Sequence, residues 1–311
     1  MIDFRYHVIS IVAIFLALAT GVALGAGPLR GPFNHELVTQ AKQDRQDKQA
    51  LRADLGAANQ QSSFQNSFVS AVEPGLINKQ LAGRTVAIFV LPGASGGTVS
   101  ALNAAVQKAG GTVTATLGLS STLLDPGQRQ VAEGLATQVL AGTSGIPSIS
   151  GASSYQLVGI SLARGLLTQT PQGTALDRSA RTIVSSYESA KFLTTNNPVV
   201  KRANLALVVA GAPSSSPISG QDELVATLVQ AIDASSGGAV VAGPATAAGS
   251  NGYVQAIRGS DAASTVSTVD EADIPAGQVT TVLALAEQAG GNAGQYGGVN
   301  ATNGAMPAQT P

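Results

Sequence analysis

The chain has 311 residues, 44% of them hydrophobic, and 17 basic against 18 acidic side chains leave a net charge of −1. This composition suits one large or two ordinary domains and excludes disorder throughout, and the balanced charge offers no basic face for nucleic acid. With no cysteine, and with His7 and His35 as its two histidines, the chain beyond residue 80 cannot build a disulfide, a thiolate site, a Ser-His-Asp triad or a zincin site.

From Val8 to Leu29 no side chain is charged. At about 1.5 Å rise per residue, a helix of that length matches a hydrocarbon core about 30 Å thick. Residues 1–30 are therefore read as a transmembrane signal-anchor. Ala23-Leu24-Gly25 offers small residues for a signal peptidase, the competing reading, but the apolar run is longer than the usual h-region and the preceding MIDFRYH is barely basic. Charge does not orient the span, because Asp3 and Arg5 precede it while Arg30, Lys42 and Arg45 follow.

Residues 31–73 change character. From Phe33 to Val72 there is no proline and one glycine, Gly56, in a stretch dominated by Ala, Gln, Leu and paired charges. A 3-4 spacing runs from Leu37 through Ala41, Asp44, Lys48, Leu51, Leu55, Ala58, Ser62, Gln65 and Val69 to Val72, and seven of these eleven positions are apolar. The expectation is a coiled-coil helix, with a homodimer through residues 33–72 or a solvated stalk as its two forms. Forty helical residues reach about 60 Å. Glu73-Pro74-Gly75 then reads as a helix stop.

An α/β domain is expected over residues 80–290. Thr85 to Leu91 is a continuous apolar strand, Thr98 to Ala109 a helix closed by Gly110-Gly111, and Thr112 to Leu117 a second strand. Helices follow at 127–140, 155–167 and 177–193. The strand Leu205 to Gly211 leads to a helix at 222–235, the strand 238–244 to a short helix at 252–258, and the strand 265–269 to a last helix at 278–288. Such alternation predicts a Rossmann-like, mostly parallel open sheet with helices on both faces. Residues 291–311, rich in Gly, Asn, Ala and Pro, read as a disordered tail.

Three places invite a functional reading. The turn Pro92 to Gly97 follows the first strand where phosphates are often held, yet it lacks the G-x-G-x-x-G spacing and a Walker lysine. Gly159 to Ala163 has the form of a nucleophile elbow but lies in a helical pattern, which makes Ser161 a core serine. Asp270, Glu271 and Asp273 cluster after the last strand, either as oxygen ligands for calcium or magnesium or as a loop capping the next helix.

The opening MIDFRYHVISIVAIFLALATGVALGAGPL, the LVGISLARGLL helix, the VVAGP strand, and VSTVDEADIPAGQVTTVLALAEQ with the following Gly294-Gln295-Tyr296-Gly297 resemble the mycobacterial copper transport protein B (MctB) family over nearly the whole chain. The resemblance implies a single-pass, non-enzymatic envelope protein of actinobacteria, its bulk outside the cell membrane, acting in copper transport or homeostasis. It also implies an alternative, since a corynebacterial relative is a coiled-coil partner controlling peptidoglycan hydrolysis. Copper is implied by resemblance alone. Met1 and Met306 are the only sulfur residues, and copper(I) prefers sulfur while copper(II) prefers imidazole. One helix encloses no channel, and the short apolar strands lack a barrel's alternation.

Overall fold

A computed structural model describes residues 4–26 and 32–308, and the chain divides into one unit up to Gln65 and another from Asn66 onward. In the first, α1 (Phe4–Ala26) is a continuous helix whose stretch from Arg5 to Gly25 is long and apolar enough to cross a membrane. Its polar Thr20 donates its hydroxyl back to the Leu16 carbonyl at 2.8 Å, which satisfies the hydroxyl without a partner from outside the helix. Of the expected anchor, residues 1–3 and 27–30 lie outside the described residues, as does residue 31 of the expected stalk.

Helix α2 (Pro32–Ile77) begins where the stalk was expected, but it does not stop at Pro74. Proline there removes one helical hydrogen bond and normally kinks or ends a helix. The last turn survives because Ile77 is fully buried and Leu76 packs on the same core cluster, so apolar burial offsets the lost bond. Leu51 and Leu55, both on the expected seam, are exposed.

The second unit is built on β1 (Thr85–Val90), α3 (Gly96–Lys108), β2 (Thr112–Leu119), α4 (Arg129–Leu140), α5 (Ser154–Leu166), β3 (Thr174–Ala175), α6 (Arg178–Ser189), β4 (Leu193–Thr195) and β5 (Lys201–Arg202). It continues through β6 (Leu205–Val209), α7 (Gln221–Ala234), β7 (Ala239–Ala242), α8 (Tyr253–Arg258), β8 (Ser267–Val269), α9 (Pro275–Gln288) and β9 (Gln295–Tyr296). Seven strands form one open sheet in the order β4-β2-β1-β6-β7-β8-β9, parallel throughout except for β4 against β2. β3 and β5 form a separate antiparallel pair.

Alternation along the central strands divides the core. Ala87 and Phe89 of β1, with Ala206 and Val208 of β6, face the cluster that holds α4 to α8. Val86, Ile88, Leu205 and Leu207 face the cluster that holds α3, α9 and the end of α2. Both faces are covered, so the strands are apolar at every position, the pattern that marked them in the sequence.

Two expectations need correction. The helix read over 177–193 ends at Ser189: Lys191 takes a left-handed backbone (φ 58°), and Phe192 and Leu193 are buried, which starts the antiparallel edge strand β4. The expected tail from 291 is instead ordered through residue 308, because Gln295 and Tyr296 pair with Thr268 and Val269 of β8. Residues 309–311 lie outside the described residues.

Candidate functional site

Open parallel sheets present their binding crevices beyond the carboxyl ends of the strands. At the end of β8 that position is held by Asp270, which has no solvent exposure. A carboxylate so placed must recover its lost hydration from fixed partners. Arg258, at the end of α8, donates Nη1 to Asp270 Oδ2 at 3.1 Å, while the backbone N–H groups of Gly298 and Val299 donate to the two carboxylate oxygens at 2.7 and 3.2 Å.

The guanidinium is equally saturated. Its Nε donates to Thr268 Oγ1 at 2.9 Å, its Nη2 to the Tyr296 carbonyl at 2.7 Å, and Nη1 also to the Val299 carbonyl. Glycines make the approach possible. A Cβ on Gly297 (φ 129°) would overlap the Asp270 carboxylate, and one on Gly298 would stand 2.9 Å from Glu271 Oε1. The Gly-Gln-Tyr-Gly-Gly run is thus the strap that the Arg258–Asp270 pair ties to the sheet edge.

The three acids of the sequence reading are separated by this arrangement. Asp270 is committed to Arg258, whereas Asp273 is exposed. Glu271, held in a left-handed conformation (φ 58°), lines a groove of about 330 Å³. Burial, then Asp270 and then Asp273 push the Glu271 carboxyl above its ordinary value. Among the described residues no group of three or more His, Cys, Asp or Glu side chains is placed to hold a metal ion. The capping alternative also fails in detail, since α9 begins at Ile274-Pro275 with no side-chain cap.

The same groove is walled by Val69, Val72 and Leu76 of α2 and by Val279 of α9, and Met306 closes one side. Met306 carries the one sulfur atom among the described residues. A thioether thus lines the groove beside a carboxyl whose charged form is disfavoured. They do not amount to the multi-sulfur or imidazole set of a tight copper site.

The other readings resolve more simply. At the switch point between β1 and β6, a Cβ on Gly211 would overlap the Gly93 backbone, so the two loops close on each other beside the Pro92 to Gly97 turn. Ser161 is fully buried in α5, where its hydroxyl bonds the Val158 carbonyl and the Tyr187 hydroxyl, the latter at 2.6 Å. It is a core serine. Sequence reasoning did not find Arg258, whose partner lies 12 residues on in a different element. Its only trace was the glycine-rich run that it straps down.

Comparison with known proteins covers this whole arrangement. A family described as "Copper transport outer membrane protein, MctB" matches residues 1–307. The chain is 29% identical over 313 residues to proteins named Copper transporter MctB from Mycobacterium tuberculosis and Mycobacterium bovis, covering 96% of this chain and 96% of each relative. A protein of the same name from Mycobacterium leprae is 29% identical over 326 residues, covering 99% of this chain and all of the relative.

Proposed function

This chain belongs to the MctB family, and we propose on that premise that it acts in copper transport or homeostasis at the bacterial cell envelope, without enzymatic activity. The observation that carries this reading is the end-to-end match to copper transporters, which takes in the apolar α1 as well as the strapped C-terminal edge. In this reading α1 anchors the chain as a single pass, and the α/β unit lies outside the cell membrane. Copper is cargo. The groove beside Met306 and Glu271 gives it a passing contact rather than a resting place.

Among the described residues one candidate span and an open sheet enclose no pore, so the reading requires copies to assemble, or a partner, for copper to cross. Leu51 and Leu55, exposed on α2, suit pairing of two chains through residues 33–72. Deleting the chain from its host and titrating growth against copper tests the proposal. Raised cellular copper, with rescue by the full chain and not by one lacking α1, is the expected result.

A second reading is a membrane-tethered adaptor for cell-wall hydrolases. An open sheet with saturated polar groups at its rim and a long exposed helix favours presentation of a surface over chemistry. Unchanged copper content together with misplaced septa in the deletion strain would select it. Calorimetry on the purified chain separates the two further: saturable copper binding weaker than about 1 µM favours the first, and no binding favours the second.

A further inference from the structure

On the α5–α7 side of the sheet, a polar cleft of about 370 Å³ lies against the end of α5, the segment after it and the end of α7. Beneath the loop 145–152 it runs on into a second cleft of about 420 Å³, and Pro147, Ile160, Ala234 and Ser235 line both. Each lies within the range of ligand-binding pockets.

Two guanidiniums, those of Arg164 and Arg202, line the first cleft. Their side chains are only 10% and 18% exposed, and they share one carboxylate: Asp177 Oδ2 lies 2.8 Å from Arg164 Nη2 and 3.9 Å from Arg202 Nη2. Asp177 cannot move to serve both better. Its Oδ1 caps α6 by accepting from the Ala180 N–H at 2.8 Å. The inner nitrogens are fixed too, Arg164 Nε on the Ser144 carbonyl at 3.1 Å and Arg202 Nε on Thr174 Oγ1 at 3.0 Å.

The pair of cations therefore carries one positive charge in excess, in a half-buried concavity. Burial first, and then the charge of Arg164, lowers the pKa of Arg202, with Asp177 opposing. At the junction of the two clefts, the buried Ser235 Oγ has no hydrogen-bond partner among the described residues. The second cleft is lined by amide and hydroxyl side chains, Gln156, Gln230 and Ser148 among them.

We propose that this cleft binds an elongated polar ligand by one oxyanion, a carboxylate or a phosphate. The oxyanion is clamped by Arg164 and Arg202, Ser235 donates at the bend, and the uncharged body lies under the loop 145–152. Guanidinium forks suit planar and tetrahedral oxyanions alike. The site is independent of copper.

The test is thermal unfolding and calorimetry of the full chain in detergent at constant ionic strength, with inorganic phosphate, glutarate and chloride as probes. Phosphate or glutarate is expected to raise the melting temperature while chloride does not. Whichever acts identifies the oxyanion, and activity of both assigns their shared chemistry. Arg202→Gln is expected to weaken that probe by about tenfold or more. Asp177→Asn keeps the α6 cap but removes the competing charge, and it is expected to tighten binding several-fold, which covers the case in which Arg202→Gln fails to fold. No shift with either oxyanion at about 10 mM, or binding unaltered in Asp177→Asn, overturns the proposal.

Discussion

Asp270 and Asp233 are both shielded acids, yet they answer burial in opposite ways. Asp270 is matched by a guanidinium and two N–H donors, so Arg258→Met leaves a buried carboxylate without its countercharge. Urea denaturation should show a loss of about 3–5 kcal/mol, with the segment 294–308 newly open to protease. Asp233 has no cationic partner among the described residues. Burial pushes its carboxyl up to about 6 from 3.8, against the Ala239 N–H and the Thr265 hydroxyl that favour its charged form. Because the folded chain holds this proton more tightly than the unfolded chain, the contribution to stability is full below about pH 4 and is lost as pH rises through about 6. Asp233→Asn keeps the acceptor for Ala239 and should be more stable than the parent at pH 7 by about 2 kcal/mol, and so melt higher, with no difference at pH 4. Circular dichroism melts across that range check the sign.

Helix packing explains several of the glycines. Gly159 of α5 meets α7 so closely that a Cβ would stand 2.6 Å from Ala231 Cβ and 2.7 Å from the Leu228 carbonyl. Gly159→Ala should therefore cost about 1–3 kcal/mol by pushing the two helices apart, read as a lower melting temperature with no change in the membrane span. The resemblance of 159–163 to a nucleophile elbow is a by-product of this crossing: small residues at helical spacing look the same whether they admit a substrate or a neighbouring helix. On α2 the prediction concerns association. Because the chain has no cysteine, Leu51→Cys introduces a single thiol, and mild oxidation of membranes carrying it should give a disulfide-linked dimer if the seam pairs two copies. The same thiol on the opposite face, at Ala53→Cys, about 200° around the helix from Leu51, should stay monomeric.

At the scale of the molecule, what was legible in the sequence is what local physics determines. β1, β6 and β7 are buried on both faces, and their unbroken apolar runs announced a parallel sheet with two covered sides. Elements held by distant partners were illegible. β4 is three residues long and rests on Phe192 and Leu193 packing beneath α6, and the last turn of α2 outlasts Pro74 because Ile77 finds the core. The acids at the end of β8 were visible as a cluster, but nothing local told that Arg258 would claim Asp270 beside Glu271 at the groove. β9 was missed for the same reason: its sequence is that of a flexible tail, and its path is fixed by pairing with β8 and by the Arg258–Asp270 pair.

The strap carries a consequence for biosynthesis. While residues 296–299 are still inside the ribosome, an emerged Arg258–Asp270 pair lacks the carbonyls and amides that complete its shell. The edge of the sheet then stays unfinished until residues 296–299 emerge, which keeps the nascent polypeptide loose up to that point. A stop codon anywhere between 290 and 299 would leave that loose state permanent and would be expected to mark the product for degradation.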